Sequence, residues 1–135
     1  MTVLGLDPGT RKCGLAVVDS TGARPAALGI ALIEDLTPRL LAIMAATPPD
    51  VVALGRGTNV AAVSKAVRAV GLPVELVDER ETTLLARGRF FADNPPRGWR
   101  RLIPRGMLLP DRPIDDYAAL IIAERYLTSL TEGEE

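Results

Sequence analysis

Three carboxylates stand at places where a chain changes direction. Asp7 follows an apolar run in "VLGLDPGT", Glu79 follows another in "VELVDERETT", and Asp115 opens an apolar stretch in "PIDDYAALIIA". In a strand, Asp7 shares a face with Val3 and the small Gly5, which leaves room beside it. Asp-Pro-Gly also suits a plain turn, with Asp at its first position and Pro at its second. Alternation puts Glu79 on the face of Val77, at the C-terminal end of its strand, where open α/β sheets place ligands. Asp115 has Ala118, Ala119, Ile122 and Tyr126 on its helical stripe, and Asp116 is turned about 100° away from it. Acidic residues are also routine at helix starts. A charge on a core-facing stripe, however, is costly unless it is paired or bound to metal. That favours Asp115 as the inward one of the pair.

The chain has no histidine and one cysteine, Cys13. This removes His-based general bases, Ser-His and Cys-His nucleophile pairs, an internal disulfide and most zinc sites. Three clustered carboxylates repel one another unless a divalent cation neutralises them, and hard oxygen donors suit Mg²⁺ or Mn²⁺. A pair of such ions can activate water and stabilise both oxygens of an in-line phosphoryl displacement.

The 135 residues carry a net charge of −1, but unevenly. Between Arg87 and Arg112 seven arginines face only Asp93 and Asp111, a local balance of +5. Arg97, Arg100, Arg101 and Arg105 lie in this segment, which suits an anionic ligand. Arg11 and Lys12 follow the first turn. Arg56 and Thr58 sit in a Gly-flanked loop before a helix, a plausible anion site. Trp99, amid arginines, suits stacking on an unpaired base or anchoring its loop to the core.

These groups need a scaffold. "TVLGLD", "RKCGLAVVDS" and "PAALGIALIE" read as three consecutive strands. "LTPRLLAIMAA" reads as a helix capped by Thr37 with Pro38 at its first position. "VVALG" is the apolar run of a strand covered on both faces. "TNVAAVSKAVRAV" is a helix with Val60, Val63, Val67 and Val70 on one stripe and Gly71 as its stop. "PVELVD" is a fifth strand and "ERETTLLARGRFFA" a helix. Residues 93–113 form a long irregular loop, and an apolar helix follows. The order predicts an α/β fold with a mixed sheet and helices on its faces, in one domain over residues 1–135. No run approaches a membrane span and no export leader is seen, which with the lone cysteine points to the cytoplasm.

Four stretches in this order resemble the YqgF/RuvX family of RNase H-like nucleases, described as nucleases of pre-16S ribosomal RNA or as Holliday junction resolvases. They are "LGLDPGTRKCGLAVVD", "PDVVALG", "VELVDERETTLLAR" and "IDDYAALIIAERYL". The resemblance implies an RNase H-like, five-stranded mixed sheet: the first three strands antiparallel, the fourth and fifth parallel to the first. It places an acidic, metal-binding triad on Asp7, Glu79 and Asp115. It implies a hydrolase, a two-metal-ion endonuclease acting on precursor rRNA or on four-way-junction DNA. A symmetric junction would call for a homodimer. Two segments depart from the family pattern: "LGRGTN" replaces a Gly-Leu-Pro turn, and the basic stretch before the last helix is longer. A catalytically weak nucleic-acid-binding module of the same fold is the alternative. An actin-like kinase, which also uses Asp-x-Gly-Thr, needs two lobes and several hundred residues.

Overall fold

The computed structural model describes residues 1–21, 25–78, 82–104 and 107–133. Among the described residues there are five strands and four α-helices, in the order β1 Thr2–Pro8, β2 Lys12–Asp19, β3 Ala27–Leu32, α1 Leu36–Ala46, β4 Val51–Gly55, α2 Val60–Ala69, β5 Val74–Val77, α3 Thr82–Asp93 and α4 Asp115–Gly133. The described residues also include the short 3₁₀ helices Ile33–Asp35 and Gly98–Leu102. The sheet order is β3-β2-β1-β4-β5. The first three strands are antiparallel, and β4 and β5 run parallel to β1. This is the mixed sheet expected from three strands met in succession and then two crossover connections.

The period-2 alternation of β1 divides the molecule into two layers. Leu4 and Leu6, with Leu15 and Val17 of β2, face a core completed by Leu36 and Leu40 of α1 and Val63 and Val67 of α2. Val3 of β1, with Ala16 and Val18 of β2, faces the other core, which holds Phe90 of α3 and Tyr117 to Ala123 of α4. Asp7 has the parity of Val3 and Gly5 and therefore points to the α4 side. All five residues of β4 are buried, as a strand covered on both faces requires.

Helix α4 lies unusually close to β1 and β2. A Cβ on Gly5 would overlap the Ala119 carbonyl oxygen, and one on Gly14 would overlap that of Asp115. These two glycines and the alanines of "YAALIIA" let the helix backbone settle onto the strands. The N-terminus of α4 is thereby held over the end of β1.

Three local expectations need correction. Helix α1 starts at Leu36 with Asp35 as its cap position, so Thr37 is inside the helix and Pro38 is its third residue. The 3₁₀ turn Ile33–Asp35 leads straight into α1, which removes the need for a side-chain cap. A proline in the first turn is tolerated because that N–H has no intrahelical partner. The segment 93–113 is not wholly irregular, since Gly98–Leu102 is helical. Finally, β1 extends through Pro8, with Asp7 opposite Gly14 and Pro8 opposite Cys13. The β4 pairing stops at Leu6, so Pro8 occupies a position paired on one side alone, where a missing N–H is tolerated.

Candidate active site

The register pair Asp7–Gly14 is the foundation of the site. Because Gly14 has no side chain, the backbone of Asp115 rests directly against it. Two carboxyl-bearing residues from opposite ends of the sequence thus meet one strand pair. Both are half-buried, so their side chains are accessible without being fully solvated. Both also act on the same neighbour. The buried Cys13 thiol is pushed up from 9.0 to about 12, first by burial, then by the charge of Asp7, with a smaller part from Asp115.

A cleft of about 330 Å³ opens here, lined by Gly9, Thr10, Arg11, Lys12 and Asp115. The turn that lines it is closed by a hydrogen bond from the Gly9 amide to the Lys12 carbonyl, 2.8 Å. Arg11 and Lys12 are exposed on that turn, so the basic pair and Asp115 border one space.

The loop carrying Arg56 and Thr58 is tied to the same turn. Asn59 takes the left-handed conformation, φ 64°, as the residue preceding α2. Its side-chain amide donates to the carbonyls of Gly9 (3.0 Å) and Thr10 (2.9 Å). Asn59 escaped the sequence reading, although its type carried a signal: asparagine is the non-glycine residue that best tolerates positive φ beside a helix start.

Glu79 lies outside the described residues, as do Arg80 and Arg105. What flanks Glu79 is well fixed. β5 ends at Val77, which packs against the α4-side core. Arg125 of α4 donates to the Asp78 carbonyl at 2.8 Å and to the Thr82 hydroxyl at 3.3 Å. One guanidinium therefore holds the chain on both sides of residues 79–81, and Thr82 is buried.

The two aspartates that open α4 divide their work differently from the helical-stripe expectation. Asp116 is the more deeply buried, at 6% exposure, while Asp115 is intermediate. Asp116 accepts from both terminal nitrogens of Arg112 at 3.3 Å and from the Tyr117 amide at 3.0 Å. Arg112 in turn lies over the rings of Phe90 (5.2 Å) and Tyr117 (5.7 Å), and the Tyr117 hydroxyl donates to Asp93 at 2.8 Å. Asp116 rather than Asp115 is the buried one because Arg112, four residues upstream, supplies the partner that makes burial tolerable.

Arg97 and Arg101 are exposed and Arg100 is half-buried. Arg100 donates to the Leu109 carbonyl at 2.7 Å and Arg101 to that of Gly98 at 3.2 Å, so both also brace their own loop. Arg97, Arg100 and Arg112 border a second cleft of about 460 Å³, floored by Phe90 and Phe91.

Among the described residues no group of three His, Cys, Asp or Glu side chains is placed to hold a metal ion. Asp7 and Asp115, near one strand end in a chain without histidine, would offer two hard oxygen donors. That donor set fits Mg²⁺ or Mn²⁺ rather than zinc.

The architecture defines the class: an RNase H-like sheet of the kind found in RuvC. The chain superposes on Thermus thermophilus RuvC in complex with a Holliday junction substrate with a TM-score of 0.65, at 23% identity, covering 98% of this chain and 97% of the other. Thermus thermophilus RuvC alone gives 0.62 at 22% identity, with the same coverage. In sequence, the chain is 29% identical to an Azotobacter vinelandii protein named "Putative pre-16S rRNA nuclease", across 97% of this chain and 96% of that one. No family model matches the chain. The resemblance to the YqgF/RuvX nucleases read from the four motifs is borne out by these likenesses.

Proposed function

We propose that this protein is a metal-dependent endonuclease that hydrolyses phosphodiester bonds in structured nucleic acid, with the 5′ end of pre-16S rRNA as its substrate. The observation that carries this reading is the meeting of Asp7 and Asp115 across Gly14, at the same end of the sheet as the Arg11–Lys12 turn. The likeness in sequence to a pre-16S rRNA nuclease runs along nearly all of both chains, which favours the RNA substrate.

Asp7, Asp115 and Glu79 would hold the ions, and the bound metal would supply an activated water and neutralise charge at the phosphate. Arg11, Lys12 and Arg56 lie on loops around the Asp7 end and suit contacts to phosphates on either side of the cut. Such contacts position the strand and carry no sequence information. Arg97, Arg100 and Arg101 add basic surface between α3 and α4, and Arg105, in the same basic segment of the sequence, is proposed to contact nucleic acid as well. Asn59 joins two phosphate-contacting loops, and Arg125 steadies the connection that carries Glu79; both are positioning residues.

A four-way DNA junction is the second substrate to test, because the fold is shared with a protein solved on one. Both substrates are incubated with wild type and Asp7→Asn in the same salt with Mg²⁺ or Mn²⁺. Metal-dependent cutting of the precursor RNA that Asp7→Asn abolishes is the expected result. Cutting that survives Asp7→Asn would contradict the catalytic assignment. Tight binding without cutting by the wild type would favour a binding module.

A further inference from the structure

The segment between α3 and α4 combines two features. It exposes four large apolar side chains: Trp99 (72%), Leu102 (87%), Met107 (73%) and Leu109 (66%). It is also strongly basic, with Arg97, Arg100 and Arg101 interleaved among them. The exposure does not arise from a lack of anchoring. Leu108 is 1% exposed within the α4-side core, and Ile103 packs against that core.

The backbone between these residues is braced. The Ile103 amide donates to the Arg100 carbonyl at 3.2 Å and the Met107 amide to Pro104 at 2.9 Å. The Arg100 guanidinium reaches across to the Leu109 carbonyl, and Arg101 reaches back to Gly98. These anchors and hydrogen bonds restrain the described residues around Trp99, Leu102 and Leu109, which lowers the ordering entropy lost when they meet a ligand. Trp99 does not anchor the loop, which removes one of the two roles its sequence position allowed.

We infer that Trp99 and its neighbours form a stacking surface for unpaired bases, so that the enzyme recognises nucleic acid containing a single-stranded or unstacked stretch rather than a continuous duplex. Charge decides the occupant: guanidiniums among apolar side chains match a strand that offers phosphates and base faces alternately. Apolar side chains presented by an arginine-rich element also suit insertion at a distorted base step. This inference rests on the nucleic-acid reading above and adds the structural class of the substrate.

Trp99 is the only tryptophan of the chain, so its fluorescence reports on this surface alone. The Asp7→Asn protein, which keeps the substrate whole, is titrated in Mg²⁺ with three probes. These are an RNA hairpin with a single-stranded flank, a blunt continuous duplex, and phosphatidylglycerol–phosphatidylcholine vesicles. Anisotropy of a dye on each RNA measures binding independently. With the flanked hairpin, Trp99 emission is expected to be quenched and shielded from acrylamide; with the duplex it stays accessible. Trp99→Ala is expected to weaken binding of the flanked hairpin by about 5- to 100-fold and leave duplex binding unchanged. Full binding by anisotropy with Trp99 equally accessible in both complexes would overturn the stacking surface and leave the nucleic-acid reading standing. Absence of binding to either RNA would remove that reading itself. Shielding of Trp99 by vesicles and not by RNA would reassign the surface to a membrane.

Discussion

Gly14 has no room for a side chain because the carbonyl oxygen of Asp115 occupies the space that a Cβ would take. The same residue is the register partner of Asp7. One missing side chain therefore lets the backbone of Asp115, 108 positions further along the chain, pack against the register partner of Asp7.

Gly14→Ala should destabilise the fold by about 1–3 kcal/mol, since backbone rather than a flexible side chain must yield. Gly5→Ala should behave alike, because its Cβ would meet the Ala119 carbonyl. Gly88, in the middle of α3, has nothing within 4 Å of a built Cβ. Gly88→Ala should therefore stabilise by about 0.5–1 kcal/mol through helix propensity. Urea midpoints of the three variants check this, and a neutral Gly14→Ala would contradict the close approach of α4.

Arg125→Ala removes the bonds to Asp78 and Thr82 that bracket residues 79–81. A cost of about 1.5–3 kcal/mol is expected, the range for hydrogen bonds that involve a charged group. Arg125→Lys should recover only part of it, because an ammonium cannot reproduce the planar fork. Hydrogen exchange should rise at the start of α3 in Arg125→Ala; unchanged protection there would show that Arg125 does not hold the connection.

Asn59→Ala loses two hydrogen bonds to the β1–β2 turn and forces a side chain with no local compensation into positive φ. Asn59→Gly loses the same bonds but suits that backbone. The alanine variant should therefore be the less stable by about 1 kcal/mol in thermal melts, the cost of the left-handed conformation. Equal losses would mean that the backbone conformation at 59 is not under strain.

The Cys13 thiol is buried and held at about 12 against an ordinary 9.0. It should react with a thiol reagent only on unfolding. Folding keeps its proton, whereas the unfolded thiol loses it above pH 9. The stability from this group is fully present below pH 9 and is lost as pH rises toward 12. In metal-free buffer, the urea midpoint of wild type should fall more steeply from pH 8 to 11 than that of Cys13→Ala. Parallel slopes would refute the shift.

Much of the fold was legible because its signals are local. "VVALG" is apolar throughout and became the fully buried β4. Val63 and Val67, on one helical stripe, became the buried face of α2. Gly71, read as the helix stop, adopts φ +90°. What escaped depends on contacts between distant segments. The burial of Asp116 needs Arg112, and Arg112 needs the rings of Phe90 and Tyr117. The role of Asn59 needs the carbonyls of Gly9 and Thr10, some fifty residues earlier. The start of α1 was misplaced because a 3₁₀ turn precedes it, so the strongest cap-like residues, Thr37 and Pro38, fall inside the helix. The value of Gly14 lies in a helix a hundred residues away, which no local pattern announces.

On the proposed function, Asp7 and Asp115 rather than Asp116 would hold the metal. Calorimetric titration of Mn²⁺ into wild type, Asp7→Asn, Asp115→Asn and Asp116→Asn tests it most directly. Asp7→Asn and Asp115→Asn should each weaken binding at least about tenfold, the lower end of what loss of a mere outer-shell partner costs. Asp116→Asn should bind Mn²⁺ like wild type and show its defect in stability, because its carboxylate serves Arg112. Wild-type affinity in Asp115→Asn together with lost affinity in Asp116→Asn would contradict the claim and move the site to the buried aspartate.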